Sequence, residues 1–226
     1  MDYDAQLAHF CDPVLVAQVE SFDPTVFTEE SPLSAAMQSG GGRACAEAVV
    51  KYLTLRTGPH FSNRASQIYL SGVSNYHPTL VEPLRTDVTE AIKRLPYSKD
   101  IAFNIFTALR IHRIDIRDHF EGKILSDWNF KHPRAPDAER WQYNLYLAQF
   151  GDQQAVQALS DKIAATTYGN DVQILLDDLS NLHNQDAKRI FEAYRDDQRT
   201  GDAPNGPGAT TAEFVALYLQ LHDWSK

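Results

Sequence analysis

Leu147-Ala148-Gln149-Phe150-Gly151-Asp152-Gln153-Gln154-Ala155 is echoed 32 residues later by Leu179-Ser180-Asn181-Leu182-His183-Asn184-Gln185-Asp186-Ala187. Each copy reads as the end of one helix, a tight turn and the start of the next. Recurrence of this kind usually means stacked helical hairpins rather than one closed core. The apolar spacing agrees. Val172, Leu175, Leu176, Leu179 and Leu182 precede the second turn, and Ala187, Ile190, Phe191 and Tyr194 follow it at i, i+3, i+4, i+7, the period of a helix with one apolar face. Asp152 and Asn184 take equivalent N-cap positions, where a short side-chain oxygen accepts from an orphan backbone N–H. Asn170-Asp171-Val172-Gln173 and Thr210-Thr211-Ala212-Glu213 both fit a capping box. Pro78 suits the first turn of a helix beginning near His77.

With Leu179 as the inward reference, equivalents fall at Leu70, Leu109, Leu147 and Leu221, at successive spacings of 39, 38, 32 and 42 residues. Around Leu221 the pattern is Phe214, Leu217, Tyr218 and Trp224. Uneven spacing is expected where insertions fall in loops. The longest insertion, Arg199 to Gly208, is too rich in Pro and Gly for regular helix. A second irregular stretch runs from Ser126 to Pro136 through Trp128, His132 and Pro133. Strand signals are weak. Residues 1–60 do not join the repeat: Val14-Leu15-Val16 and Val49-Val50 are short clusters broken by Pro13, Pro24 and Pro32, and Gly40-Gly41-Gly42 precedes a helix-like stretch from Arg43 to Leu55. They read as an N-terminal helical cap, because terminal units of an array must meet water on one face. The expectation is one all-α domain over 1–226, with the cap at 1–60 and the repeats at 61–226.

The phrase Leu147-Ala148-Gln149-Phe150-Gly151-Asp152-Gln153-Gln154-Ala155-Val156-Gln157-Ala158-Leu159 and its echo resemble the HEAT family of α-solenoids. A leucine-rich helix end, a Gly-Asp turn and then Ala-Val-x-x-Leu is common there. The resemblance covers 139–196 well and 61–226 loosely. The second copy departs from it with His183-Asn184 in place of Gly151-Asp152. The resemblance implies a HEAT-like, right-handed helical-hairpin solenoid. It does not choose a function, since HEAT-like folds serve as scaffolds, inhibitors, lyases and DNA glycosylases.

Composition narrows the partner. The chain has 226 residues, 43% hydrophobic and 23% charged, with a formal net charge of −9. An acidic protein repels phosphate backbones, so nucleic acid is disfavoured and a basic protein is favoured at encounter. Cys11 and Cys45 are too few for a disulfide scaffold and sit among apolar residues, so buried thiols are the default reading. The acidic Met1-Asp2-Tyr3-Asp4 start does not look like a secretory signal. No stretch approaches the ~20 apolar residues of a membrane span. The expected compartment is the cytoplasm.

No catalytic, cofactor or metal motif stands out. HExxH, CxxC and an ordered Cys/His set are missing. His112 and His119 are seven apart, but Ile114-Asp115 interrupts their helix, and both read as surface or interface histidines. Asp177-Asp178 and Asp196-Asp197 are adjacent pairs whose members point about 100° apart on a helix, so they read as solvated charge rather than acid/base pairs. Ser39-Gly40-Gly41-Gly42-Arg43 lacks the Lys-Ser/Thr of a phosphate-binding loop and reads as a linker. Arg110, Arg113, Arg117 and Lys123 alternate with His112, Asp115 and Asp118, which can neutralise them.

A binding stripe follows from the inward leucines. The positions six before, two before and two after lie on the opposite side of each helix: Phe103, Thr107 and Ile111; Trp141, Leu145 and Gln149; Gln173, Asp177 and Asn181. A stripe that is aromatic at one end and acidic at the other suits a protein partner. Complete burial of Trp141 would remove it. The resulting expectation is a non-enzymatic scaffold, specifically an inhibitor or immunity-type protein that occludes a basic or toxin-like partner enzyme. The resemblance leaves two alternatives open. One is a HEAT-like DNA glycosylase, for which Trp128, Trp141 and Asp177 are the candidate residues. The other is a lyase- or chaperone-like scaffold holding a cofactor.

Overall fold

The structure, a computed structural model, describes residues 3–25, 42–75, 81–124, 139–203 and 206–225. Pro32, His77, Pro78, Trp128, His132, Pro133, Pro136 and Ser39-Gly40-Gly41 lie outside the described residues. The chain divides into two compact units, Met1–Leu125 and Ser126–Lys226. The division falls at 125/126, not at the 60/61 boundary between cap and repeats.

The first unit contains α1 (Tyr3–Phe10), α2 (Pro13–Glu20), α3 (Gly42–Arg56), α4 (Asn63–Asn75), α5 (Arg85–Arg94), α6 (Lys99–Ile111) and the short α7 (Arg117–Phe120). Helix α3 packs against α1, α4 and α5, so residues before and after position 60 share one core. Its length matches the helix expected from Arg43 to Leu55. Helices α4 and α6 form the main pair, burying Leu70 and Leu109 completely. Two arginines cap helix ends by donating to carbonyls that have no helical acceptor role left. Arg94 Nε and Nη2 donate to Thr57 and Thr54 O at 2.9 and 3.1 Å, closing α3. Arg85 Nη1 donates to His112 O at 2.9 Å, closing α6.

Three sequence expectations change in this unit. Cys11 and Cys45 are not free thiols; they form a disulfide that ties the end of α1 to α3. His112 is not on the surface. It is 4% exposed, its Nε2 donates to Val73 O at 2.7 Å, and burial pulls its pKa below the usual imidazole value. Residues 13–20, read as a broken cluster, form a helix because Pro13 sits in its first turn and Asp12 Oδ1 accepts from Val14 and Leu15 N. The expected break after α6 is present: His112 ends the helix and Arg113 turns the chain at φ +50°. The arginine cluster is partly neutralised as expected, with Arg117 pairing with Asp115 through Nε and Nη2, both at 2.9 Å.

The second unit contains α8 (Glu139–Gln149), α9 (Gln153–Ala165), α10 (Gly169–Ser180), α11 (Gln185–Glu192), strands β1 (Thr200–Ala203) and β2 (Gly206–Thr210), and α12 (Thr211–Leu221). The echo in the sequence is an echo in the backbone. Gly151 and His183 both take positive φ, +82° and +52°. Asp152 Oδ1 accepts from Ala155 N, and Asn184 Oδ1 from Ala187 N, both at 2.9 Å. The two turns also touch: Gln153 Nε2 donates to Asp186 Oδ2 at 3.1 Å. Val156, Leu159, Ile163, Val172, Leu175, Leu176, Leu179, Leu182, Ile190 and Phe191 form the core between the hairpins.

The Arg199–Gly208 insertion forms an antiparallel hairpin, pairing Thr200 with Thr210 and Ala203 with Gly206. The capping box at Thr210 is complete. The one expected at Asn170 is not. Helix α10 begins two residues earlier, at Gly169 with Tyr168 as its N-cap, and Gly169 is where β1 crosses: an added Cβ would stand 2.2 Å from Thr200 O. Leu221 does not face inward; it is 70% exposed.

Two measurements test these assignments. Reducing the disulfide, which closes a 34-residue separation, is expected to cost about 2–4 kcal/mol, read as a lower urea midpoint with reductant than without. Gly151→Ala is expected to cost about 1 kcal/mol. Nothing lies within 4 Å of the added Cβ, so the loss would report backbone conformation alone. A neutral result would remove the assigned turn.

Candidate functional site

The stripe residues divide between the two units. In the first, Phe103, Thr107 and Ile111 share a face of α6, with Phe103 45% and Ile111 39% exposed. In the second, Trp141 and Leu145 are fully buried. They are core residues, so the stripe is not a continuous exposed surface. Gln149 is half-buried and Asn181 exposed, its Nδ2 donating to Asp177 O at 3.1 Å.

Gln173 and Asp177 are not left facing outward, because the chain's own C-terminal elements cover them. Gln173 Nε2 donates to Ala209 O at 2.8 Å, and the Tyr218 hydroxyl donates to Asp177 Oδ1 at 2.6 Å. Asp178, one residue on, is buried and accepts from Trp141 Nε1 at 3.2 Å. The 100° offset between neighbours separates these carboxylates as expected, but they are structural acceptors rather than solvated charge. Trp141 and Asp177, two of the glycosylase candidates, are thereby occupied in packing and docking; Trp128 lies outside the described residues.

Helix α12 is held by a clasp that precedes it. The Arg199 guanidinium grips Asp197 through Nε at 2.9 Å and through Nη2, while Nη1 donates to Thr166 O. The charge pair holds the Asp197 carboxyl below the usual carboxylate range and raises Arg199; Tyr194, under the guanidinium, is pushed up by burial. The backbone is fixed at the same point, with Thr211 N donating to Arg199 O at 2.7 Å and Ala212 N to Asp197 O at 2.9 Å. Phe214, Tyr218 and His222 then stack along α12 with centroids 4.2 and 4.9 Å apart, and His183 continues the stack at 5.2 Å.

Docking that side leaves the other side of α12 outward. Glu213, Ala216, Leu217, Gln220 and Leu221 are all exposed, Leu217 by 52% and Leu221 by 70%. Beside them lies an open groove of about 500 Å³ lined by Arg195, Asp196, Ala212, Ala216, Leu219 and Gln220. Sequence reading missed this face because the repeat assigned Leu221 inward. The available signal was that Phe214–Leu221 is apolar all round the helix apart from Gln220, which a helix packed on one side does not require. Among the described residues no group of three or more His, Cys, Asp or Glu side chains could hold a metal ion. No helix there is long and apolar enough to cross a membrane. In comparisons with family models, curated proteins and solved structures, nothing matches the chain.

The clasp sets a pH dependence. Because Asp197 is held below its ordinary value of 3.8, its contribution is complete above about pH 4 and is lost as pH falls through the lower folded value. Asp197→Asn is therefore expected to flatten the acid limb of stability measured in urea between pH 2 and 5. Gly169→Ala should cost about 1–3 kcal/mol by forcing β1 off α10; an unchanged urea midpoint would show that β1 does not lie there.

Proposed function

We propose that the chain is a HEAT-like, non-enzymatic scaffold that works by binding another protein, in the manner of an inhibitor that occludes a partner enzyme. The observation that carries this reading is the outward face of α12, where two large leucines stand exposed beside a groove. Exposed apolar side chains grouped on one helix face, rather than scattered singly, are what protein partners cover. The stacked hairpins of α8–α11, with their matching turns, support the HEAT-like reading. The net charge of −9 supports a basic partner.

The compartment is part of this proposal. The sequence-based expectation is the cytoplasm. The Cys11–Cys45 disulfide favours an oxidising compartment instead, since structural disulfides are rare where thiols are kept reduced. We adopt the oxidising reading.

A pull-down from the native host with the tagged chain tests the function. It is expected to recover one specific protein whose retention weakens as salt is raised; recovery of no specific protein at any salt concentration would overturn the reading. Acid-quenched thiol labelling of the same extract is expected to find both cysteines protected, and labelling of both would return the protein to the cytoplasm.

A further inference from the structure

His119 stands among charges that decide what it can bond. Lys123 Nζ donates to its Nε2 at 2.9 Å. An ammonium carries no acceptor, so that ring nitrogen holds a lone pair and the imidazole is neutral in this contact. From α5, Lys93 and Glu90 act on the same ring, Lys93 against its protonation and Glu90 in favour of it. Lys93 Nζ itself donates to Glu90 Oε1 at 2.9 Å, and Arg94 also acts on that carboxylate. On the segment that carries His119, Arg117 is paired with Asp115, while Asp118 and Glu121 are exposed. Tyr97, a phenol, packs on the neighbouring Phe120 ring at 5.6 Å. Burial, then Lys123 and then Lys93, hold the imidazole below its usual value against the pull of Glu90.

The backbone here divides into a fixed part and a turn. Phe120 is 1% exposed and meets Phe106 edge-on at 5.1 Å, which anchors α7 in the core. Lys123 follows in a turn through Gly122 at φ +75°, closed by Lys123 N donating to Phe120 O at 3.0 Å. Glu121 and Gly122 are exposed. The bond from Lys123 to His119 therefore spans the turn and ties its last residue back to the anchored helix. The turn lies just before the division between the two units at 125/126.

Protonation changes which neighbour His119 can hold. An imidazolium has two donors and no acceptor, so it cannot accept from Lys123, and the two like charges repel. Glu90 is the carboxylate whose charge already favours the protonated ring. We propose that His119 and Lys123 form a pH-operated latch on the 120–123 turn, closed when the neutral imidazole accepts from Lys123 and open when the imidazolium turns to Glu90. Opening frees the Lys123 ammonium at the end of the first unit and leaves Phe120 in place. Because the ring is held below the ordinary imidazole value of 6.5, the latch is closed above about pH 6.5 and opens as pH falls through the lower folded value.

Proton NMR of the full chain between about pH 4.5 and 8 tests the latch. The His119 Cε1–H resonance is assigned by its loss in His119→Gln. Lys123→Met is expected to raise the His119 midpoint by about half a pH unit and Glu90→Gln to lower it by about as much, the scale of a half-exposed charge pair. Lys99→Met, an exposed lysine outside the cluster, is expected to leave the midpoint in place. The protection factor of the Lys123 amide against hydrogen exchange is expected to fall about threefold below the midpoint, and to stay level in His119→Gln. A midpoint that neither Lys123→Met nor Glu90→Gln moves overturns the proposal. So does a Lys123 protection factor that stays level across the midpoint in the unmodified chain, or one that falls equally in His119→Gln.

Discussion

Two neighbouring carboxylates on α10 organise the second unit. Asp178 turns into the core and accepts from the Trp141 indole; Asp177 turns away from it and accepts from the Tyr218 hydroxyl. Burial of an unpaired carboxylate is costly, so the buried Asp178 favours the packing that brings the Trp141 indole to it. One bond ties α10 to α8, the other ties it to α12. The helical offset between consecutive residues lets a single dipeptide hold neighbours on two sides. Helix α10 therefore meets the chain's own elements on both of those sides.

The repeated turn works by a different constraint. A positive-φ residue followed by an N-cap fixes the direction in which the next helix leaves. Gly151 adopts that conformation freely, whereas His183 carries a side chain there and gains a stacking contact with His222. The departure of the second copy from the Gly-Asp pattern thus coincides with a new task. His183 keeps the turn and also meets the end of α12. The Arg199 clasp at the start of α12 and this stack at its end hold the helix at both termini.

Much of this was legible in the sequence because it is local. The apolar faces of α10 and α11, the caps at Asp152, Asn184 and Thr210, and the break after His112 depend on residues within one or two turns. What was not legible depends on distant pairs. Cys11 and Cys45 read as isolated apolar-flanked thiols, and only the packing of α1 on α3 brings them together. Asn170 carries a good capping pattern, but the helix starts at Gly169, where β1 crosses. Gln173 and Asp177 face away from the leucine core as the spacing required; that they meet the hairpin and Tyr218 follows from how the insertion folds. Trp141 was placed outward by counting from Leu147, yet Leu147 is itself only half-buried while Trp141 and Leu145 are core. The inward direction of α8 is therefore rotated from that of α10, and a stripe built by counting residues does not survive the rotation.

Leu221 departs from the repeat for a different reason. In a strict repeat, every unit presents the same side to its neighbour, and the leucine positions are interchangeable. Helix α12 does not follow a repeat turn; it follows a β-hairpin, and its orientation is set by the capping box and the Arg199 clasp. The buried side of α12 is then chosen by Thr211, Val215 and Tyr218, which turns Leu217 and Leu221 outward. The polar contacts at the base of the helix, the capping box and the Arg199 clasp, involve no leucine.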